Sequence, residues 1–268
     1  MDRHAYLQAL GITPWRLRDA VAGSEGDSED DSEGDSDSNT PLNTDQSIST
    51  SAPDMRAVSP SSSAQDSTSQ PFMQIDRGQL AKMDMTALRA AIDTCLACEM
   101  HQTRTQTVFG DGHHKADWFI ITEAPSADEE RDGETFVGPS GLLLTQMLRA
   151  IGLAREEVFI TNIIKCRTPN NRDPLVEEVH ACDHYLQRQI ELVQPKIILC
   201  LGRIAAQALL DSDLPLGKMR GQVYSYNKHA DIPLLVTYHP AYLLRSPKEK
   251  RKVWEDLKLA RSSFLAGS

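Results

Sequence analysis

The chain has 268 residues, 25% of them charged, with five cysteines and a formal net charge of −10. That length holds one or two domains, and no apolar run is long enough to span a membrane or to form the core of a secretory signal. The charge is local: between Val21 and Ile75 eleven acids face one base, Arg56, so the remainder is close to neutral and nothing excludes a nucleic-acid partner. The expectation is a soluble, cytoplasmic protein with no membrane partner, monomeric by default. In such a chain a Cys-x-x-Cys pair points to metal binding before disulfides.

Residues 1–20 read as a docking peptide. Tyr6, Leu7 and Leu10 make a short apolar helical face, Gly11 stops the helix, and Ile12, Trp15 and Leu17 continue the surface. So short a helix is marginal alone and cannot bury this face on itself, which suits a helix-in-groove contact with a partner. The run Leu7–Arg18 resembles the N-terminal peptide of the psi subunit of the bacterial DNA polymerase III holoenzyme, which docks on the clamp-loader complex. The resemblance implies clamp-loader subunits as partners. Residues 21–74 follow as an acidic Ser/Asp-rich linker, too poor in apolar groups to offset the entropy of ordering and extended by self-repulsion.

A globular domain is expected over 75–268, with a first helix at 85–92. Cys95 and Cys98 come next, and Cys166 and Cys182 form a second pair with 15 residues between them. Four thiolates in two pairs suit either zinc or an iron–sulfur cluster. Cys200, within Ile197–Leu201, reads as a small core residue.

Apolar runs at Trp118–Ile121, Val158–Ile160, Ile197–Leu201 and Leu234–Val236 alternate with helical patterns near 140–152, 175–193, 203–210 and 248–264. Such alternation predicts an α/β fold, a mostly parallel sheet of about four strands covered by helices on both faces. The first run ends at Pro125 in an acidic loop carrying Glu123, Asp128, Glu129 and Phe136. Thr161, Asn162, Lys165, Arg167, Asn170, Asn171 and Arg172 follow the second run, Gly202 and Arg203 the third, and His239 to Arg245 the fourth. Singly these are ordinary: a turn cap, a loop histidine, surface cations. Parallel strands bring them to one edge of the sheet, where open α/β sheets bind ligands.

From about Ile92 to Phe264 the sequence resembles the iron–sulfur uracil-DNA glycosylases, family 4 of their superfamily. The resemblance rests on Glu123-Ala124-Pro125 with Asp128-Glu129-Glu130, on Phe136-Val137-Gly138, and on Thr161 to Arg167 with Pro169-Asn170-Asn171-Arg172. It extends to His239-Pro240-Ala241 with Leu243-Leu244-Arg245 and to the two cysteine pairs. It implies a three-layer α/β/α sandwich and a structural [4Fe–4S] cluster on Cys95, Cys98, Cys166 and Cys182, with a four-cysteine zinc site as the alternative. Phe136 would stack on a flipped-out uracil, Asn162 would read its edge, and His239 would stabilise charge at its O2. Glu123 and Ala124 belong to the pocket motif, and Glu129 would position or activate water. Gly138, Ser140, Lys165, Arg167, Arg172 and Arg245 would hold DNA.

The implied reaction is hydrolysis of the N-glycosidic bond of uracil in DNA, without lyase chemistry, in a bacterial, nucleoid-associated protein. The sequence departs from the family at two places: Thr122 and Ser126 stand where the family's Gly-Glu-Ala-Pro-Gly has glycines. Added side chains there could alter the pocket, so a DNA-binding polymerase accessory that does not cut is the second expectation.

Overall fold

The structure, a computed structural model, describes residues 77–226, 228 and 231–267. The docking peptide at 1–20, the acidic linker at 21–74 and the expected domain start at 75 lie outside the described residues.

Four five- or six-residue runs of apolar residues build the centre. They are β2 (Trp118–Thr122), β3 (Val158–Asn162), β4 (Ile197–Leu201) and β6 (Ile232–Thr237), and they pair in parallel in the order β3-β2-β4-β6. All but Pro233 among these residues are buried, as a sheet covered on both faces requires. Side chains alternate between two cores. Phe119, Ile121, Phe159, Ile198, Cys200 and Val236 face one, packed on α2 (Met85–Asp93), α5 (Val176–Val193) and α6 (Arg203–Leu210). Trp118, Ile120, Ile160, Leu199 and Leu235 face the other, against α4 (Gly138–Ala150) and α9 (Lys250–Gly267). The result is the expected three-layer α/β/α sandwich.

The expected four strands become six. β1 (Asp111–Gly112) lies antiparallel on β3, and β5 (Val223–Tyr226) antiparallel on β6, so both edges are closed by short reversed strands. Neither carries an apolar run that would announce it: β1 is two polar or glycine residues, and β5 buries only Tyr226. Thr161 and Asn162 are the last residues of β3 rather than part of the loop after it. The expected loop after Pro125 also holds a helix, α3 (Ala127–Asp132). Short helices α1 (Arg77–Leu80), α7 (Leu216–Met219) and α8 (Pro240–Arg245) complete the set. No helix among the described residues is long and apolar enough to cross a membrane.

The strand order positions the site. The chain leaves β2 towards β3 on one side and leaves β4 towards β6 on the other. The loops after β2 and β4 therefore diverge, opening a crevice at the carboxyl ends of these two strands.

Candidate active site

A cavity of about 800 Å³ opens at that crevice. Glu123, Ala124, Glu129, Ser140, Arg172, His239 and Arg245 are on its wall, joined by Thr122, Ser126, Asp173, Arg203, Tyr238 and Tyr242. Glu123 follows β2 directly, and its Oε1 accepts the Ile204 N–H at the start of α6 (3.1 Å). Burial is the main reason its carboxyl is held above the ordinary pKa. Gly202 must be a glycine here: its φ is +102°, and a Cβ would lie 2.6 Å from Glu123 Oε1.

Glu129 is turned to the backbone. Ser126 caps α3 and Glu129 completes the capping box, its Oε2 accepting the Ser126 N–H (2.7 Å). Its Oε1 accepts the N–H of Phe136 in a short hydrogen bond. Phe136 has a φ of +52°, a left-handed conformation that costs a non-glycine residue about 1–3 kcal/mol. The residue is 4% exposed, and its ring stacks on the His239 ring, centroids 5.2 Å apart with planes 21° from parallel.

His239 caps α8 through its ring: Nδ1 accepts the Ala241 N–H at 3.1 Å. A neutral imidazole that accepts at Nδ1 carries its proton on Nε2. Burial, helped by the Arg245 charge, lowers its pKa to about 4, so the ring is neutral near pH 7 and offers one N–H donor.

Asn162 ends β3 beside Thr122 in the sheet register. Its residue is 0% exposed, and neither Oδ1 nor Nδ2 has a hydrogen-bond partner among the described residues. An unsatisfied buried amide costs about 1–3 kcal/mol, so fully orphaned ones are rare. Asn162 and Phe136 are not on the wall of the open cavity.

The expected DNA-binding cations separate. Arg245 and Arg172 reach the cavity, but Arg172 is forked onto Glu178 (2.5 and 2.8 Å). Arg167 donates to Asn171 (2.7 Å) and lies 3.5 Å from Glu130. Gly138 is the first residue of α4. Lys165 requires a correction. It is 1% exposed, and its ammonium donates to Thr161 Oγ1, the Asn162 carbonyl and Gln189 Oε1, each at 2.7 Å. It cannot reach a phosphate from there; it ties the end of β3 to α5. Desolvation lowers its pKa to about 7.

A second assembly lies beside α5. Cys95 and Cys98 precede a 3₁₀ turn at Glu99–Gln102, Cys166 follows β3, and Cys182 is in α5. Arg104 Nη1 donates to Cys166 Sγ (3.2 Å), and its Nη2 donates to the carbonyls of Asp93 (3.1 Å) and Cys95 (2.8 Å). The Tyr185 hydroxyl is buried beside Cys95; burial first, then the hydrogen bond to that cysteine, keeps it protonated. Four thiols, a cation aimed at one of them and a buried hydroxyl beside another fit a group bound through sulfur. Among the described residues no three His, Cys, Asp or Glu side chains converge on one ion. Tetrahedral zinc needs four sulfurs about 2.3 Å from one point, whereas a four-iron cluster holds its thiolates further apart. Either group can use such a donor set. Cys200 is fully buried in β4, away from this group.

A profile of the uracil DNA glycosylase superfamily matches residues 109–258, more than half of the chain. The chain belongs to the uracil DNA glycosylase superfamily. It is 44% identical over 172 residues to a type-4 uracil-DNA glycosylase of Archaeoglobus fulgidus, covering 62% of this chain and 86% of that one. It is 38% identical over 181 residues to the type-4 enzyme of Thermotoga maritima, covering 66% and 93%. A type-5 uracil-DNA glycosylase of Pyrobaculum aerophilum is 30% identical over 145 residues, covering 46% and 61%. The superfamily match spans every element of the crevice, from β2 through α8.

Sequence reasoning missed Ser126 as a helix cap, Arg104 against the cysteines, and the Arg203–Asp173 pair (2.7 Å) on the cavity wall. Only the first had a visible signal, a serine three residues ahead of a glutamate. The other two depend on contacts between distant segments.

Proposed function

We propose that this protein is a monofunctional glycosylase that hydrolyses the N-glycosidic bond of uracil in DNA and leaves an abasic site. One observation carries the reading: a fully buried asparagine amide, with donor and acceptor both unpartnered, at the strand end beside the crevice. A uracil edge, which presents a carbonyl and an N–H side by side, would satisfy both ends at once. The similarity to type-4 enzymes supports the same substrate.

The bond breaks between the sugar C1′ and the base nitrogen, and the electron pair leaves with the base. The neutral His239 donates its Nε2–H to the carbonyl oxygen that gains charge, with no proton transfer required. Positive charge grows on the sugar and is opposed by carboxylate. Glu123 is our choice for ordering the attacking water, because both oxygens of Glu129 already accept backbone N–H groups. Glu129 then acts by holding the seat of the base. Phe136 stacks on the base, and Arg245, with Ser140 and Gly138 at the start of α4, meets DNA phosphates.

The cofactor proposed is a [4Fe–4S] cluster on Cys95, Cys98, Cys166 and Cys182; when bound it supplies cross-linking rather than chemistry, clamping the segment before β1 to β3 and α5. Residues 1–20 are proposed to tether the enzyme to clamp-loader subunits in the cytoplasm of a bacterium. A 1–20 peptide that retains no clamp-loader subunit in a pull-down removes that part alone.

The deciding test uses a uracil-containing single strand and anaerobically purified protein, with alkali to reveal abasic sites. Cleavage that disappears in Asn162→Ala and His239→Ala is the expected result. No cleavage by folded, brown wild-type protein would overturn it in favour of a DNA-binding accessory.

A further inference from the structure

Phe136 occupies a backbone conformation that its own chemistry disfavours, with a φ of +52°. Something must hold it, and two charged side chains act on its peptide units from opposite ends. Glu129 accepts its N–H. Arg155, 19 residues on, approaches from the other side: its Nη2 donates to the Thr135 carbonyl (2.5 Å), and its Nη1 lies 3.5 Å from the Phe136 carbonyl.

The guanidinium is itself held. Nη2 also meets Asp111 Oδ2 at 3.4 Å, and Asp111 Oδ1 accepts the Thr135 hydroxyl at 2.9 Å. Thr135 is 0% exposed, so without Arg155 its carbonyl would face the interior with its charged partner gone. The clamp joins β1, which carries Asp111, to the 3₁₀ turn at Arg155–Glu157 that leads into β3. On the remaining side α4 presses close: a Cβ on Gly141 would lie 1.6 Å from the Phe136 carbonyl oxygen. Arg155 is not on the cavity wall. A residue that fixes two consecutive carbonyls next to a strained aromatic acts on that aromatic.

We infer that Arg155 is a positioning residue for the glycosylase reaction, holding Phe136 in the left-handed conformation that aims its ring at the base, with Asp111 anchoring the guanidinium. The inference rests on the reading of Phe136 as the ring that stacks on uracil.

The test is a double-mutant cycle on full-length, cluster-loaded protein, reading kcat and KM on a uracil-containing single strand. Arg155→Met should lower kcat/KM about tenfold or more, since small misplacements near the reacting centre carry losses of that order. The loss should fall on kcat. A lost phosphate contact would instead raise KM and weaken the salt dependence. In a Phe136→Ala background, Arg155→Met should cost less than about twofold, because its target is gone. The same loss in both backgrounds, a loss confined to KM, or no loss in the wild-type background overturns the inference. Wild-type rates in Phe136→Ala alone overturn the stacking reading, and the inference falls with it. Should Arg155→Met fail to fold by circular dichroism, the isosteric Asp111→Asn replaces it in the same cycle. It should show a smaller loss in the same direction, and no loss overturns the inference equally.

Discussion

Asn162 ends β3 with a fully buried amide. The amide has no hydrogen-bond partner among the described residues, so replacing it with an apolar residue of similar size should separate function from stability. Asn162→Leu is expected to abolish uracil excision while raising stability by about 1 kcal/mol, read by urea denaturation. A variant both inactive and clearly destabilised would mean that the amide has a partner in the resting protein. His239 supplies a pH signature. Its folded-state pKa of about 4 lies below the ordinary 6.5. Between these values the unfolded chain binds a proton that the folded chain refuses, so stability falls as pH is lowered from 6.5 towards 4. Thermal melts of wild type and His239→Gln should therefore diverge at neutral pH and converge on acidification. Glu123 acts in the opposite range of function: burial raises its pKa, so it protonates at a higher pH than an ordinary carboxylate. The acid limb of the kcat profile should sit correspondingly high and should vanish, with most of the activity, in Glu123→Gln.

At the scale of elements, the two departures from the family's glycines are absorbed by regular structure. Thr122 is the last residue of β2, and Ser126 has the extended φ of −79° of a helix cap, so neither position demands a glycine. Ser126→Gly should cost only a few tenths of a kcal/mol and Ser126→Ala about 1 kcal/mol, because glycine is tolerated at a cap and alanine is not. If instead Ser126→Gly raised activity severalfold, the serine would be a brake on the pocket. The central strands could be read from the sequence as continuous apolar runs, with β2, β3 and β4 buried at every residue, and the long helices by their periodic apolar faces. Helix α3 could not be read that way, since Ala-Asp-Glu-Glu-Arg-Asp has no apolar period and is held by its cap and by the Gly133 end. Strands β1 and β5 exist because a neighbour offers a free edge, and that information lies in the neighbour. The site divides on the same line. Residue types at strand ends were visible, but whether a lysine points out or in was not: Lys165 turns inward because Thr161, Asn162 and Gln189 give its ammonium three acceptors.

Across the whole domain, the four cysteines come from segments far apart in the chain. Cys95 and Cys98 belong to a segment ahead of the sheet, whereas Cys166 and Cys182 belong to the β3 edge and α5. A group bound by all four would be counted in the folding free energy, because the unfolded chain does not preform the site. Cys182→Ala should therefore lose bound iron and visible absorbance, and should melt at lower temperature than the loaded wild type. Cys200→Ala should keep both iron and colour, since Cys200 is buried in β4 outside the group. Arg104 provides the finer discrimination. It donates to Cys166 Sγ and to the carbonyls of Asp93 and Cys95, so it spans both halves of the site and brings positive charge to the thiolates. Hydrogen bonds and charge at cluster sulfurs set reduction potential. Arg104→Met should leave a protein that can be loaded with iron but releases it faster to a chelator, with a lower midpoint potential than wild type. Unchanged potential and unchanged release would make Arg104 a tie between backbone segments only; a colourless wild type that binds one zinc per chain would remove the cluster itself.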